Sequence, residues 1–347
     1  MIEGHGDDAY RYSQIISDFS SNICAHSTHE ALMAHLAERP ALLNHYPEPE
    51  AWSLERRIAG RLGVDPRNII VTSGATEAIY LIAESVCKRL PKAIVMEPTF
   101  SEYADACNKA NLNVLQTLSN SPIKLGIQAC KPELVENASL WLCNPNNPTG
   151  AVVNRKQIGE LVKAYKLVVI DQSYENYTSV PLMTAKTAVR LGNVVQIHSM
   201  TKDYGVPGLR LGYIVAGLRL ARQIRSRLRP WSVSSLAIEA GKYLLEHDEL
   251  ECRPNLSEAQ RLSLNLSAIN GVQVMPSQTN FMLCQLAEGT AAALKDYLAC
   301  KHGILIRDAS NFPGLTSRHF RIAAQTPAEN DALVAAIQEF VNSLEMK

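Results

Sequence analysis

Neither sign of charge is in excess: Lys and Arg total 34, Asp and Glu total 34, and the formal net charge of the 347-residue chain is +0. Without a net field there is no sequence-independent pull toward nucleic acid or an anionic membrane, so neither is expected as a partner. The 8 cysteines contain no Cys-x-x-Cys pair, which argues against a disulfide framework or a zinc site and for a reducing cytoplasm. No apolar run reaches the ~18 residues that span a bilayer, and Met1-Ile2-Glu3-Gly4-His5-Gly6-Asp7-Asp8 has no leader-like apolar stretch. No Gly-x-Gly-x-x-Gly follows the first strand-like run, which sets aside a nicotinamide-binding Rossmann enzyme. His26-x-x-His29 has no third ligand beside it and reads as a solvated helix start, so no metal is expected. Internal repeats, low-complexity tracts and long linkers are absent as well.

What is present is a hydrophobic content of 46% with 20% charged residues, ordinary for a globular chain and enough for a large domain plus a smaller one. From Asn68 onward, strand and helix patterns alternate. Strand-like Asn68 to Thr72 precedes a helix from about Gly74 to Leu90, then strand Ala93 to Met96 and a helix from about Ser101 to Ala110. Leu112 to Leu118, Leu140 to Cys143, Leu167 to Asp171, Val194 to His198 and Gly212 to Ala216 are further strands. This alternation predicts an α/β fold with a mostly parallel sheet flanked by helices. After Arg253-Pro254 the pattern changes to α+β: strands Val272 to Met275, Asn280 to Gln285, Ile304 to Arg307 and His319 to Ala324, with a helix from about Ala291 to His302. The final helix opens on Thr326-Pro327-Ala328-Glu329, an N-cap, a proline at the first helical position and a capping-box glutamate.

Lys202 is the residue with the most chemical content. It follows the apolar run Val194 to Ile197, with Ser199 three residues before it and Arg210 eight after. A lysine amine can form an imine with an aldehyde, while a serine and an arginine can hold a phosphate beside it. Pyridoxal phosphate carries both groups. Three other segments end strand-like runs in polar or glycine residues, as an α/β sheet does at its ligand edge: Ile69 to Ala78, Leu140 to Gly150 with its Asn144-Pro145-Asn146-Asn147-Pro148 turn, and Leu167 to Tyr174. Gly74-Ala75-Thr76 opens a helix after a strand, so its amides can bind a phosphate.

In this order, and with the Ser-x2-Lys-x7-Arg spacing, the segments resemble the fold-type I pyridoxal-phosphate enzymes of the aspartate aminotransferase superfamily over nearly the whole chain. The resemblance implies a large cofactor-binding domain, 41–252, and a small α+β domain of 1–40 and 253–347. It also implies a homodimer with active sites at the interface. Lys202 is then the covalent anchor and proton shuttle, and Asp171 the carboxylate that keeps the pyridine nitrogen protonated. Tyr174 and Asn147 donate to the phenolate oxygen, and Ser199, Arg210 and the Gly74-Ala75-Thr76 turn cradle the phosphate. Phe100 lies over the ring, and Tyr46 reaches the phosphate on the other subunit. Where the family reads Asp-Glu-Ala-Tyr, this chain has Asp171-Gln172-Ser173-Tyr174.

Substrate groups follow from the same resemblance. Arg321 binds the α-carboxylate, and Arg307 a further anion such as phosphate, for which arginine is a suitable fork. The chain is most similar to two sister branches that act on phosphorylated small molecules, histidinol-phosphate aminotransferase and the L-threonine O-3-phosphate decarboxylase of cobalamin synthesis. Gly4-His5-Gly6, Asp18-Phe19-Ser20-Ser21-Asn22-Ile23 and Pro230-Trp231-Ser232-Val233 lean to the decarboxylase, and by that likeness His5, Gly6 and Asn22 touch substrate. Asp7-Asp8 departs from it by placing carboxylates near a proposed phosphate site. The expected function is therefore decarboxylation, with transamination to 2-oxoglutarate as the alternative. A non-catalytic pyridoxal-phosphate module, as in some transcription regulators, is more distant because the chain is neutral and shows no added DNA-binding segment.

Overall fold

The computed structural model describes residues 8–23, 29–118 and 137–345. Its main sheet has seven strands, in the order Ile69–Thr72, Gly212–Ala216, Val194–His198, Leu167–Asp171, Ala138–Cys143, Lys92–Glu97 and Asn113–Leu118. Gly212–Ala216 runs antiparallel to both neighbours and the other pairs are parallel. The four strands from Gly212–Ala216 to Ala138–Cys143 are buried along their whole length, which is why they read as unbroken apolar runs rather than alternating ones. Alternate residues still go to opposite faces. Trp141, Val169 and Val195 pack with Ile79 and Ile82 of the Gly74–Ser85 helix. Leu140, Val168 and Ile170 pack with Ile158 and Leu161 of the Arg155–Ala164 helix.

Because these strands are parallel, their C-terminal ends share one edge. Thr72, Glu97, Cys143, Asp171 and His198 all end strands there, so the polar turns that follow them converge.

A second sheet is antiparallel, in the order Arg307–Asp308, His319–Ala323, Phe281–Leu286 and Val272–Val274. Leu262, Leu298 and Ile337, from the helices Leu256–Ser267, Ala291–His302 and Pro327–Glu345, fill its core. The last helix carries the expected capping box: Glu329 N–H donates to Thr326 Oγ1 at 3.4 Å, and Thr326 N–H to Glu329 Oε2 at 3.2 Å.

Three stretches differ from the sequence reading. Ile304 to Arg307 is not one strand. Ile304–Leu305 pairs in parallel with Ser17–Asp18, while Arg307–Asp308 pairs with His319–Ala323, so two partners divide the run at Ile306. The first helix stops at Ser85, whose hydroxyl bonds the Leu81 carbonyl at 2.6 Å, and Cys87–Arg89 forms a separate turn. The residues up to 40 divide between the two sheets: Phe19 joins the antiparallel sheet's core, whereas Leu32 of the Glu30–Ala37 helix packs with Leu54 and Ile238 on the main sheet's side. Among the described residues no helix is long and apolar enough to cross a membrane.

Glu97 joins the sheet to the turn that carries Phe100. It is buried, and its carboxylate accepts from Thr99 N–H at 2.8 Å and from Gln116 Nε2 at 3.3 Å. Burial outweighs these bonds and pushes its carboxyl from 4.5 up to about 7. A raised folded-state value means that the stabilisation is complete below about 4.5 and lost as pH rises through about 7. Glu97→Gln keeps an acceptor for Thr99 without the charge. Relative to wild type, its unfolding free energy should gain up to ~3 kcal/mol between acid and neutral pH. Urea denaturation across that range checks this, and parallel profiles for the two proteins would refute it.

Candidate active site

A cavity of about 340 Å³ opens at the edge where the strand ends converge. Asn22, Ala75, Thr76, Phe100, Asn147, Asp171, Tyr174, Ser199, Lys202, Arg210 and Arg321 all line it. These residues span some three hundred positions of sequence, and the parallel strand ends are what gathers them.

Lys202 sits on the five-residue helix Met200–Tyr204, directly after the Val194–His198 strand, with Nζ 5.8 Å from the Tyr174 ring centroid. Asp171 lies on the neighbouring strand, fully enclosed. Its Oδ2 accepts from Tyr103 Oη at 2.7 Å and its Oδ1 from Ser173 N–H at 2.8 Å. Burial raises its proton affinity, and the bonds from Ser173 and Tyr103 oppose that rise. Burial raises Tyr174 as well, keeping its phenol protonated and able to donate.

The turn before the Gly74–Ser85 helix is built for close approach. Gly74 has φ +84°, and a Cβ there would lie 2.8 Å from Arg210 Nη2. Gly212 brings the main sheet up against this turn, since a Cβ on it would meet Ala75 N at 2.7 Å and the Gly74 carbonyl carbon at 2.8 Å. Ala75 and Thr76 at the start of the helix thus share the cavity wall with Ser199 and Arg210, a set of amides, hydroxyls and a guanidinium chemically suited to an anion. Arg210, at φ +52°, is exposed, and its guanidinium lies beside Gly74 in the cavity lining.

On the opposite wall, the buried Arg321 donates from Nη1 to Asn147 Oδ1 and from Nη2 to the Ser20 carbonyl. Asn147 Oδ1 is therefore occupied by Arg321, which leaves its amide N–H groups for another acceptor. Arg307 stands directly across from Arg321 in the antiparallel pair. It donates to the Asp308 carbonyl, and from Nη2 to Asn311 Oδ1 at 2.8 Å. Burial, then the nearby Arg321 charge, lowers it to about 10. Arg307, Asn311, Phe312 and Arg321 line a side cavity of about 60 Å³ that also touches Phe100 and Asn147.

The residues fit pyridoxal phosphate. Thr201 Oγ1 and Arg321 Nε are buried without hydrogen-bond partners, and both atoms belong to residues of the main cavity wall. Buried polar groups are otherwise paired. Asp171 forms no ion pair with lysine or arginine among the described residues, which suits a site for a cationic ring nitrogen.

Other sequence candidates fall elsewhere. Tyr46 is 86% exposed and outside this cavity, its ring 5.6 Å from Trp231. His5, Gly6 and His26 lie outside the described residues. His29 is half-buried rather than solvated, with Nε2 3.1 Å from the Gly205 carbonyl. Gln172 pairs with a second amide, accepting from Gln196 Nε2 at 2.7 Å, so the uncharged residue has an uncharged partner. Asp8 is neutralised by Lys295 Nζ at 2.5 Å. Sequence reasoning missed Tyr103, Ser173, Asn311 and the Ser20 carbonyl. Tyr103 stands three residues beyond Phe100, just inside the Glu102–Lys109 helix, and Ser173 and Ser20 lie within runs already singled out for their neighbours.

Gly212→Ala should weaken binding of pyridoxal phosphate by about tenfold or more, because the amides of the Gly74 turn lose their aim. Binding of pyridoxal, which has no phosphate, should be unchanged. Titration of the apoprotein with both compounds checks this; equal losses would place the fault elsewhere.

The family model for "Aminotransferase class I and II" matches residues 14–337. An L-threonine-O-3-phosphate decarboxylase structure from Porphyromonas gingivalis superposes with a TM-score of 0.88 and 36% identity, covering 94% of this chain and 100% of that one. A histidinol-phosphate aminotransferase from Thermoanaerobacter sp. is 31% identical, covering 86% of this chain and 85% of its own length. A threonine-phosphate decarboxylase from Salmonella typhimurium is 27% identical, over 94% and 92% respectively. The chain belongs to the class I and II aminotransferase family and is a pyridoxal-phosphate-dependent enzyme.

Proposed function

We propose that the chain decarboxylates a phosphorylated α-amino acid of the L-threonine O-3-phosphate type. The observation that carries this reading is the pair Arg307 and Arg321, directly opposite in adjacent strands, buried, and without a carboxylate partner among the described residues. Like charges facing across a ladder repel, and a ligand with two anions relieves both. Both arginines also line the same side cavity of about 60 Å³, so a ligand whose two anions are separated by few bonds can reach both. An α-carboxylate and a β-phosphate satisfy this. Histidinol phosphate has a single anion and would fill one arginine, whereas the 2-oxoglutarate of that alternative carries two carboxylates, so the products formed decide between the two reactions.

In this reading Arg321 and Asn22 hold the carboxylate, and Arg307 with Asn311 holds the phosphate. Ser199, Arg210 and the Gly74-Ala75-Thr76 turn take the cofactor phosphate. Asp171, steadied by Tyr103, keeps a proton on the ring nitrogen, Tyr174 and the Asn147 amide donate to the phenolate oxygen, and Phe100 covers the ring. Lys202 would anchor the cofactor until the substrate amine displaces it, and the bound cofactor would then supply an electron sink for the pair released at Cα. Arg321 would orient the substrate carboxylate, and the freed Lys202 amine would return a proton to Cα once that carboxylate has left as CO2.

Exposed Leu43, Tyr46 and Trp231 support a homodimer in which Tyr46 reaches the neighbouring subunit's phosphate site. A cytoplasmic location agrees with the six described cysteines, all free thiols.

Given L-threonine O-phosphate and no keto acid, the loaded enzyme should release 1-aminopropan-2-ol phosphate and CO2, detected by mass spectrometry. Glutamate formed from histidinol phosphate and 2-oxoglutarate, with no CO2 in the first mixture, would favour the aminotransferase instead. Arg307→Gln should raise KM for the phosphorylated substrate by about a hundredfold, the cost of losing one partner of a buried charge pair, with a smaller effect on kcat. Steady-state kinetics decide it, and an unchanged KM would remove Arg307 from the substrate site.

A further inference from the structure

Lys202 stands on a helix of only five residues, closed by Gly205 at φ +64°. So short a helix does not hold itself in place, and its final carbonyls lack intrahelical donors. Tertiary contacts must therefore set the position of the lysine. Many of them come from one turn, Glu175–Tyr177, which begins immediately after Tyr174.

All three residues of that turn touch the lysine segment. Tyr177 is buried, and its hydroxyl donates to the Lys202 carbonyl at 3.0 Å. Asn176 Nδ2 reaches Asp203 Oδ1 at 3.3 Å and Glu251 Oε1 at 3.2 Å. Glu175 Oε1 lies 2.8 Å from Nδ1 of His198, the last residue of the strand that leads to Lys202. The chain is thus held before, at and after the lysine. The Tyr177 ring also meets the Tyr174 ring edge to face, with centroids 5.5 Å apart at 83°. One short turn therefore fixes both Tyr174 and the backbone that carries Lys202.

We propose that Tyr177, with Asn176 and Glu175, is a positioning clamp that sets the Lys202 amine against Tyr174 and hence its proton-transfer geometry. The inference rests on Lys202 being the cofactor lysine. Displacing a reacting group by a fraction of an ångström slows transfer without weakening substrate binding. Loss of the clamp should therefore appear in kcat and in the cofactor's spectrum rather than in KM.

Tyr177→Phe removes the hydroxyl and keeps the ring packing. We expect kcat to fall about tenfold, the upper range for one lost hydrogen bond, with KM within about twofold. The pH midpoint of the lysine-bound cofactor's visible band should move, and amide hydrogen exchange of residues 199–205 should accelerate in the apoprotein. Asn176→Ala should act in the same direction, and the double variant should be less than additive. An unchanged midpoint and kcat, with only a lower Tm, would reduce Tyr177 to a core residue and overturn the proposal. Failure of the underlying assignment looks different: the wild-type protein itself would show no cofactor fixed to peptide 199–205 after borohydride reduction.

Discussion

The burial of Asp171 is the constraint around which the molecule is arranged. A carboxylate at the end of a central strand, sealed from water and without a lysine or arginine ion pair among the described residues, is costly to keep charged. The Tyr103 hydroxyl and the Ser173 amide reduce that cost without cancelling it. A cation delivered by a ligand completes the balance. The sheet serves this purpose by placing Asp171 between the Cys143 turn on one side and the Ser199–Lys202 segment on the other.

The far wall of the cavity presents the opposite problem. Arg321 and Arg307 bring two positive charges together in one antiparallel ladder, fully or nearly fully enclosed. Neutral acceptors hold them: Asn147, Asn311 and the Ser20 and Asp308 carbonyls. Such groups orient a guanidinium and leave its charge available. The main cavity therefore carries the Asp171 carboxylate on one wall and the Arg321 guanidinium on another, with Arg307 in the adjoining side cavity.

Much of this was legible in the chain. The apolar runs from Leu140 to Cys143, Leu167 to Asp171 and Val194 to His198 announce buried parallel strands, and the polar residue after each marks the ligand edge. Residues at those ends were found because parallel topology ties strand end to site. The split of the Ile304 to Arg307 run at Ile306 was not legible, since it depends on Ser17–Asp18 arriving from far away in sequence. Nor was the exposure of Arg210 legible.

Sequence alone determined the fold class, because strand and helix patterns have physical periods, while the lysine, the carboxylate and the two arginines were singled out through the family resemblance of the motifs around them. Tertiary structure alone decided which groups meet across elements. Tyr103 reaches Asp171 from a helix 68 residues away, Tyr177 finds the Lys202 carbonyl 25 residues on, and Lys295 meets Asp8 across 287. No local pattern encodes such pairs. They follow from how twisted strands and their covering helices pack, which the order of residues constrains only through the whole core at once.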